Sequence, residues 1–201
     1  DGSILPCFPR GKKSEIACGD RVELQQTAED QGVVERILER RSLLYRSNEI
    51  RQKLIAANVD QVVLVVAAEP GFSDELITRA LLAVEDQEIE ALIVLNKCDI
   101  VDRLPAARKQ LEAFTRLGYR TVELSALNHA DDLRPYLQGK TSVLVGQSGM
   151  GKSTLVNALL PEAKAATREI SAALDSGKHT TTHACLYHLD AESHLIDSPG
   201  L

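Results

Sequence analysis

The octapeptide "GQSGMGKS" at residues 146–153 has the spacing G-x-x-x-x-G-K-[ST], which suits one chemistry, the holding of nucleotide phosphates. Its glycines let backbone N–H groups turn inward around a phosphate, and a helix starting at the lysine adds the positive end of its dipole. Gly146, Gln147, Ser148, Gly149, Met150, Gly151, Lys152, Ser153 and Thr154 are therefore candidate nucleotide-binding residues. Lys152 would reach the β- and γ-phosphates and serve catalysis there, and the Ser153 hydroxyl would bind Mg2+. The competing reading is an ordinary glycine turn ahead of a core helix.

The phosphate loop alone does not choose between ATP and GTP, whereas "NKCD" at residues 96–99 does. A carboxylate at Asp99 would accept hydrogen bonds from guanine N1–H and the exocyclic amine, a donor pair that adenine lacks. Adenine would leave that carboxylate unpaired, which discriminates by several kcal/mol. Asn96 would hold the base edge and the neighbouring loop, and the Lys97 stem would lie along the ring face. Taken alone, N-K-x-D also fits a loop that caps a helix.

Three weaker segments acquire meaning from their positions. "SAL" at 125–127 places Ser125 beside the base loop and offers the Ala126 N–H to the guanine carbonyl. "DSPG" at 197–200 has the form D-x-x-G, in which Asp197 would bind Mg2+ through water and the Gly200 N–H would sense the γ-phosphate. "GKHTTTH" at 177–183 supplies a threonine to complete the Mg2+ shell. Thr181 is the choice, grouped with Lys152 as catalytic, and Thr180 and Thr182 stand close behind it.

The elements that must position these residues are set by hydrophobic periodicity. Short, nearly continuous apolar runs at 62–66, 91–95, 121–124 and 142–145 read as buried parallel strands, with two further strands at 184–189 and 193–196. Helices are expected over 74–85, 105–117, 131–137 and 152–160, the second with a proline in its first turn. The predicted fold is α/β, a mostly parallel sheet with helices on both faces. The chain order is base reader, base loop, phosphate loop, first switch, second switch. This is a circularly permuted P-loop GTPase, cut before its usual fourth strand and rejoined through the short link "QGK" at 138–140.

Upstream, residues 20–40 read as two β-rich segments around a polar turn. We expect a partial β-barrel (OB-fold) domain at 1–45 whose first strands are missing, a basic linker at 46–57, and the GTPase domain at 58–201. The abrupt end after "DSPG" suggests a truncated chain. Arg40, Arg41, Arg46, Arg51 and Lys53 would either contact rRNA phosphates or form a solvated hinge, and Glu39 and Glu49 temper their charge.

Composition limits the classes. With 201 residues and 44% hydrophobic content the chain can fill an ordinary core. A net charge of -6 argues against a general nucleic-acid coat, and the acidity is segregated. Residues 1–60 carry ten Lys and Arg against ten Asp and Glu, leaving 13 against 19 for the remainder. Aromatics at 3% disfavour a broad base-stacking surface. Cys7, Cys18, Cys98 and Cys185 form no C-x-x-C pair, so neither a disulfide framework nor a zinc knuckle is indicated, and a reducing cytoplasm is the default. No apolar run approaches the ~20 residues that cross a bilayer.

With "NKCD", "GQSGMGKSTLVNALLP", "GKHTTTH" and "DSPG" in this order behind a small β-domain, the sequence from about residue 20 onward resembles the bacterial ribosome small-subunit-dependent GTPases of the RsgA (YjeQ) family. The resemblance implies an OB-fold, a permuted GTPase domain and a zinc-binding domain beyond residue 201. It implies action late in small-subunit maturation, with the small ribosomal subunit and its rRNA as partners, no membrane, and a monomer. GTP would be substrate, GDP product, Mg2+ the cofactor, and Zn2+ would belong only to the absent domain. Leu201 stands where many GTPases carry a water-orienting glutamine, so slow intrinsic hydrolysis is expected, the missing element coming from the ribosome or from His179 or His183. The rival readings are a P-loop ATPase or small-molecule kinase, which leaves "NKCD" unexplained, and a non-hydrolysing RNA-binding module.

Overall fold

The computed structural model describes residues 4–10, 15–47, 52–161 and 184–198. The N-terminal part begins with a three-stranded sheet of β1 (Cys7–Pro9), β2 (Val22–Ala28) and β3 (Gln31–Ile37), in the order β1-β3-β2. The polar turn read between the two β-rich segments is the tight connection at Glu29 and Asp30, and β2 and β3 pair antiparallel across it. The pairing of β1 parallel to β3 has no counterpart in the sequence pattern, because three residues carry too little alternation to read.

The stretch read as a linker contains structure. β4 (Leu43–Ser47) and β5 (Gln52–Ala57) pair antiparallel. Leu44 and Ala56 are buried in the same cluster as the central sheet. The basic residues at one end of this segment concealed an apolar stripe at the other. Arg40 and Arg41 are also partnered: Arg40 grips the Asp20 carboxylate with two bonds of 2.7 Å, and Arg41 reaches Asp60 at 2.6 Å.

The central sheet runs β6 (Gln61–Ala67), then α1 (Asp74–Glu85), β7 (Glu90–Asn96), α2 (Leu104–Arg116), β8 (Arg120–Glu123), α3 (Arg134–Leu137), β9 (Thr141–Val145), α4 (Lys152–Leu159), β10 (Cys185–His188) and β11 (His194–Asp197). Spatially the strands order as β10-β11-β9-β6-β7-β8. All neighbouring pairs are parallel except β10 with β11. Every residue of β6 is buried, which is why its sequence shows no alternation.

Helices cover both faces. On one, Ile77, Leu81 and Val84 of α1 and Leu104, Leu111 and Phe114 of α2 meet Val62, Leu64 and Ile93. On the other, Leu155 and Leu159 of α4 and Leu133 and Leu137 around α3 meet Val63, Leu144 and Leu195. Burying each such side chain contributes roughly 1.5–3 kcal/mol. Helix α1 occupies the residues expected for it, with Asp74 and Glu75 placed favourably at its N-terminal dipole. The helix expected over 131–137 is instead a 3-10 turn, Ala130–Leu133, running into the single turn of α3. Pro135 lies in the first turn of α3 and has no N–H to continue an α-ladder through this point.

The link between α3 and β9 is short and tied down. Gly139 takes φ 68° and donates its N–H to the Ser193 hydroxyl at 2.9 Å, and the His194 N–H donates to the Lys140 carbonyl at 2.9 Å. Among the described residues no helix is long and apolar enough to cross a membrane.

Candidate functional site

Strands β11, β9, β6, β7 and β8 run in one direction, so their carboxyl ends share one edge, where open α/β sheets bind ligands. Asp197 ends β11, residues 146–151 follow β9, Asn96 ends β7, and Ser125 and Ala126 follow β8. The sheet thus collects at one edge segments as distant in sequence as those holding Asn96 and Asp197.

The loop from Gly146 to Gly151 is shaped by backbone that other residues resist. Gly146, Gly149 and Gly151 all have positive φ, at 149°, 83° and 93°. At Gly146 a Cβ would run into the Val65 carbonyl of β6, and at Gly151 into the side-chain amide of Asn96. The close approach at Gly151 exists because Asn96 donates through Nδ2 to the Met150 carbonyl at 2.8 Å. Through Oδ1 the same side chain accepts the Ala126 N–H at 2.9 Å. Asn96 is buried, and its two bonds fasten the loop after β9 and the loop after β8 to the end of β7.

The Ala126 N–H, expected as a donor for a base carbonyl, is donated here to Asn96. Backbone and amide become neighbours because β7 and β8 are adjacent in the sheet, a relation that the tripeptide "SAL" does not encode. Asp99 is exposed and accepts a 2.6 Å hydrogen bond from the buried Ser125 hydroxyl, which aims its carboxylate. Lys97 is half-buried in the left-handed region at φ 61°, and the Ile100 N–H donates to its carbonyl.

Lys152 and Ser153 open α4, whose capping position is Gly151. The Lys152 ammonium donates to the carbonyls of Gly146 and Gln147, the latter at 2.9 Å. Burial pulls its pKa below the usual 10.5, with nearby Asp197 opposing. Burial likewise pushes the Asp197 carboxyl above 3.8, with Lys152 opposing. The two charges therefore sit in one partly desolvated volume. Gln147 is half-buried, Ser148 and Ser153 are exposed, and Thr154 lies half-buried in α4. Thr181 and Gly200, with His179, His183 and Leu201, lie outside the described residues.

A model of the RsgA GTPase family matches residues 37–201. The chain belongs to the RsgA GTPase family. It is 56% identical over 203 residues to the small ribosomal subunit biogenesis GTPase RsgA of Burkholderia pseudomallei (strain K96243), covering 99% of this chain and 65% of that protein. A relative of the same name from Nitrosospira multiformis is 56% identical over 201 residues, covering 100% and 64%. The chain thus spans about two thirds of the length of these curated RsgA relatives, at 65% and 64%.

Among solved structures, YjeQ from Thermotoga maritima aligns with a TM-score of 0.68 and 34% identity over 96% of this chain and 66% of that one. YloQ, described as a circularly permuted GTPase, aligns with a TM-score of 0.63 and 32% identity over 98% and 63%. This member of the RsgA family accordingly has the circularly permuted GTPase fold preceded by β-strands consistent with an OB-like domain.

Two features of the site were absent from the sequence-based expectations. Ser198 is 3% exposed and donates its hydroxyl to the Leu144 carbonyl of β9 at 2.7 Å. Pro199, which comes next in the sequence, has no N–H to donate. Pro70, after β6, stands against the phosphate-loop glycine Gly149, 3.9 Å from where its Cβ would be. Nothing local in "AEPGF" marks that neighbour.

Proposed function

We propose that this chain carries the nucleotide site of an Mg2+-dependent GTPase that hydrolyses GTP to GDP and phosphate and acts on the small ribosomal subunit late in its maturation. The observation that carries the reading is the pair of hydrogen bonds by which buried Asn96 donates to the Met150 carbonyl and accepts the Ala126 N–H. They tie the loop expected to read the base and the loop expected to hold the phosphates to one buried side chain. In this reading residues 58–201 form the GTPase domain, residues 1–45 an OB-type module for rRNA, and the protein works in the cytoplasm as a monomer.

Asp99, aimed by Ser125, accepts the two guanine donors, and Lys97 covers the ring. The guanine carbonyl would share or take the Ala126 N–H from Asn96. The glycine-rich loop gives its N–H groups to the phosphates, and the Lys152 ammonium exchanges its carbonyl partners for phosphate oxygens, a stronger, charge-assisted contact. The Ser153 hydroxyl, in the first turn of α4, and the Asp197 carboxylate, at the end of β11, are hard oxygen donors. They suit Mg2+, which takes one or two protein ligands and fills its octahedron with phosphates and water. Thr181 would add a further hydroxyl. A cation held by these residues would supply neutralisation of the charge on the nucleotide's phosphates. Gly200 would register the γ-phosphate, and movement after Asp197 would pass that state to the C-terminal side of the switch.

The experiment is GTP hydrolysis by the full-length protein with and without purified small ribosomal subunits, with ATP and Lys152→Ala as controls. Stimulation confined to GTP and lost with Lys152 supports the reading. Turnover that is slow and unaffected by subunits overturns the ribosome-triggered part, and equal use of ATP overturns the base assignment.

A further inference from the structure

The hairpin that joins β10 to β11 carries two histidines directly opposite each other, His188 and His194. The Leu189 N–H donates to the Ser193 carbonyl at 2.8 Å, so 189 and 193 form the last hydrogen-bonded pair before the turn. The 188/194 pair is therefore a non-hydrogen-bonded one, the type in which facing side chains stand closest. Their rings meet edge to face with centroids 4.8 Å apart, and the two Nδ1 atoms are separated by 2.9 Å.

The hairpin holding them is stiff. The Asp190 carboxylate accepts the N–H groups of Glu192 and Ser193 at 2.8 and 2.7 Å and locks the turn. The Ser193 hydroxyl is bonded to Gly139, and the His194 backbone is held through its N–H, which is donated to Lys140. On its other side β11 is paired along its length with β9.

We infer that His188 and His194 form a two-imidazole site for a borderline divalent transition metal of the Cu2+, Ni2+ or Zn2+ class. Imidazole nitrogen suits these ions and not Mg2+. Two nitrogens facing across a locked hairpin need only part slightly to ligate one ion. Asp190 adds negative potential beside His194. Among the described residues no group of three His, Cys, Asp or Glu converges, so water completes the coordination. The pair lies at the end of β11 opposite Asp197, so this site is separate from the one that would hold Mg2+. A cation there would staple β10 to β11.

The test is Cu2+ added to this chain, read by electron paramagnetic resonance and by calorimetric titration. The expected result is one saturable site whose spectrum reports two equatorial imidazole nitrogens. His188→Asn and His194→Asn should each weaken it by about tenfold or more, because chelation is lost with either ligand. The double variant, left with neither imidazole, should lose the site altogether, and His129→Asn should bind as the parent does. Ni2+ should also raise the melting temperature of the parent and not of either variant. A spectrum with one or no nitrogen, or saturable binding unchanged by both substitutions, overturns the assignment. A variant in which His129, His179 and His183 are replaced by Asn, leaving His188 and His194 of the five histidines, should keep the parent's spectrum, and loss of the two-nitrogen signal there overturns the assignment even if the His188 and His194 variants fail to fold.

Discussion

Asn96 and Met150 lie 54 positions apart and are joined by a buried 2.8 Å hydrogen bond from the Asn96 amide to the Met150 carbonyl. This bond carries the phosphate loop against the end of β7 and is the physical link between the two halves of the proposed nucleotide site. Removing it should be felt both in stability and in binding.

Asn96→Ala would leave the Met150 carbonyl and the Ala126 N–H without their partner in a buried place. At about 1–3 kcal/mol for each unsatisfied group, urea unfolding should show a loss of about 3 kcal/mol. Guanine-nucleotide affinity should fall in parallel. An unfolding midpoint like that of the parent would contradict the structural role.

Gly151→Ala should weaken nucleotide binding more than it lowers stability. The new methyl group would collide with the Asn96 amide in a residue already at φ 93°, and left-handed backbone costs a non-glycine residue about 1–2 kcal/mol. Relief requires Asn96 or the loop to move. Titration with a fluorescent guanine nucleotide should show at least a tenfold loss, the equivalent of about 1.4 kcal/mol.

Ser125→Ala would free the Asp99 carboxylate from its 2.6 Å donor. A hydrogen bond to a charged group contributes about 1.5–3 kcal/mol. The expected effect is a tenfold or larger fall in guanine-nucleotide affinity, and a smaller preference for guanine over adenine nucleotides in competition. Undiminished selectivity would show that Asp99 needs no aiming.

The raised pKa of Asp197 predicts a conflict between stability and activity. A folded pKa above the unfolded value of 3.8 means that its stabilising share is whole below 3.8 and is lost as pH rises through the folded value. At neutral pH the buried charge is a cost. Asp197→Asn should therefore be more stable than the parent at pH 7 and converge with it in acid, while losing Mg2+-dependent hydrolysis. Thermal unfolding across pH, beside an activity assay, tests both halves.

Asp60 has the opposite sign. Burial opposes its ionisation, but the Arg41 guanidinium and the Thr141 N–H outweigh burial and hold its pKa below 3.8. Its contribution is present above 3.8 and disappears as pH falls through the lower folded value. A double-mutant cycle of Arg41→Ala and Asp60→Asn should give a coupling of about 0.5–1 kcal/mol at pH 7, discounted for solvent screening, and none at the acid end.

Much of this molecule is legible in its sequence because it depends on local pattern. Buried parallel strands such as β6 show themselves as unbroken apolar runs, and α1 as apolar residues at Ile77, Leu81 and Val84 behind an acidic first turn. The phosphate loop, "NKCD" and their reversed order are visible in one dimension, so the permuted fold can be read from sequence alone. Tertiary structure decided what depends on strand order and register. It paired Arg40 and Arg41 with Asp20 and Asp60, folded residues 52–57 back as a strand against 43–47, gave the Ala126 N–H to Asn96, and set His188 opposite His194. Each of these pairs side chains or backbone through hydrogen bonds about 3 Å long. Only the folded chain brings such partners, 5 to 30 positions apart, within that reach.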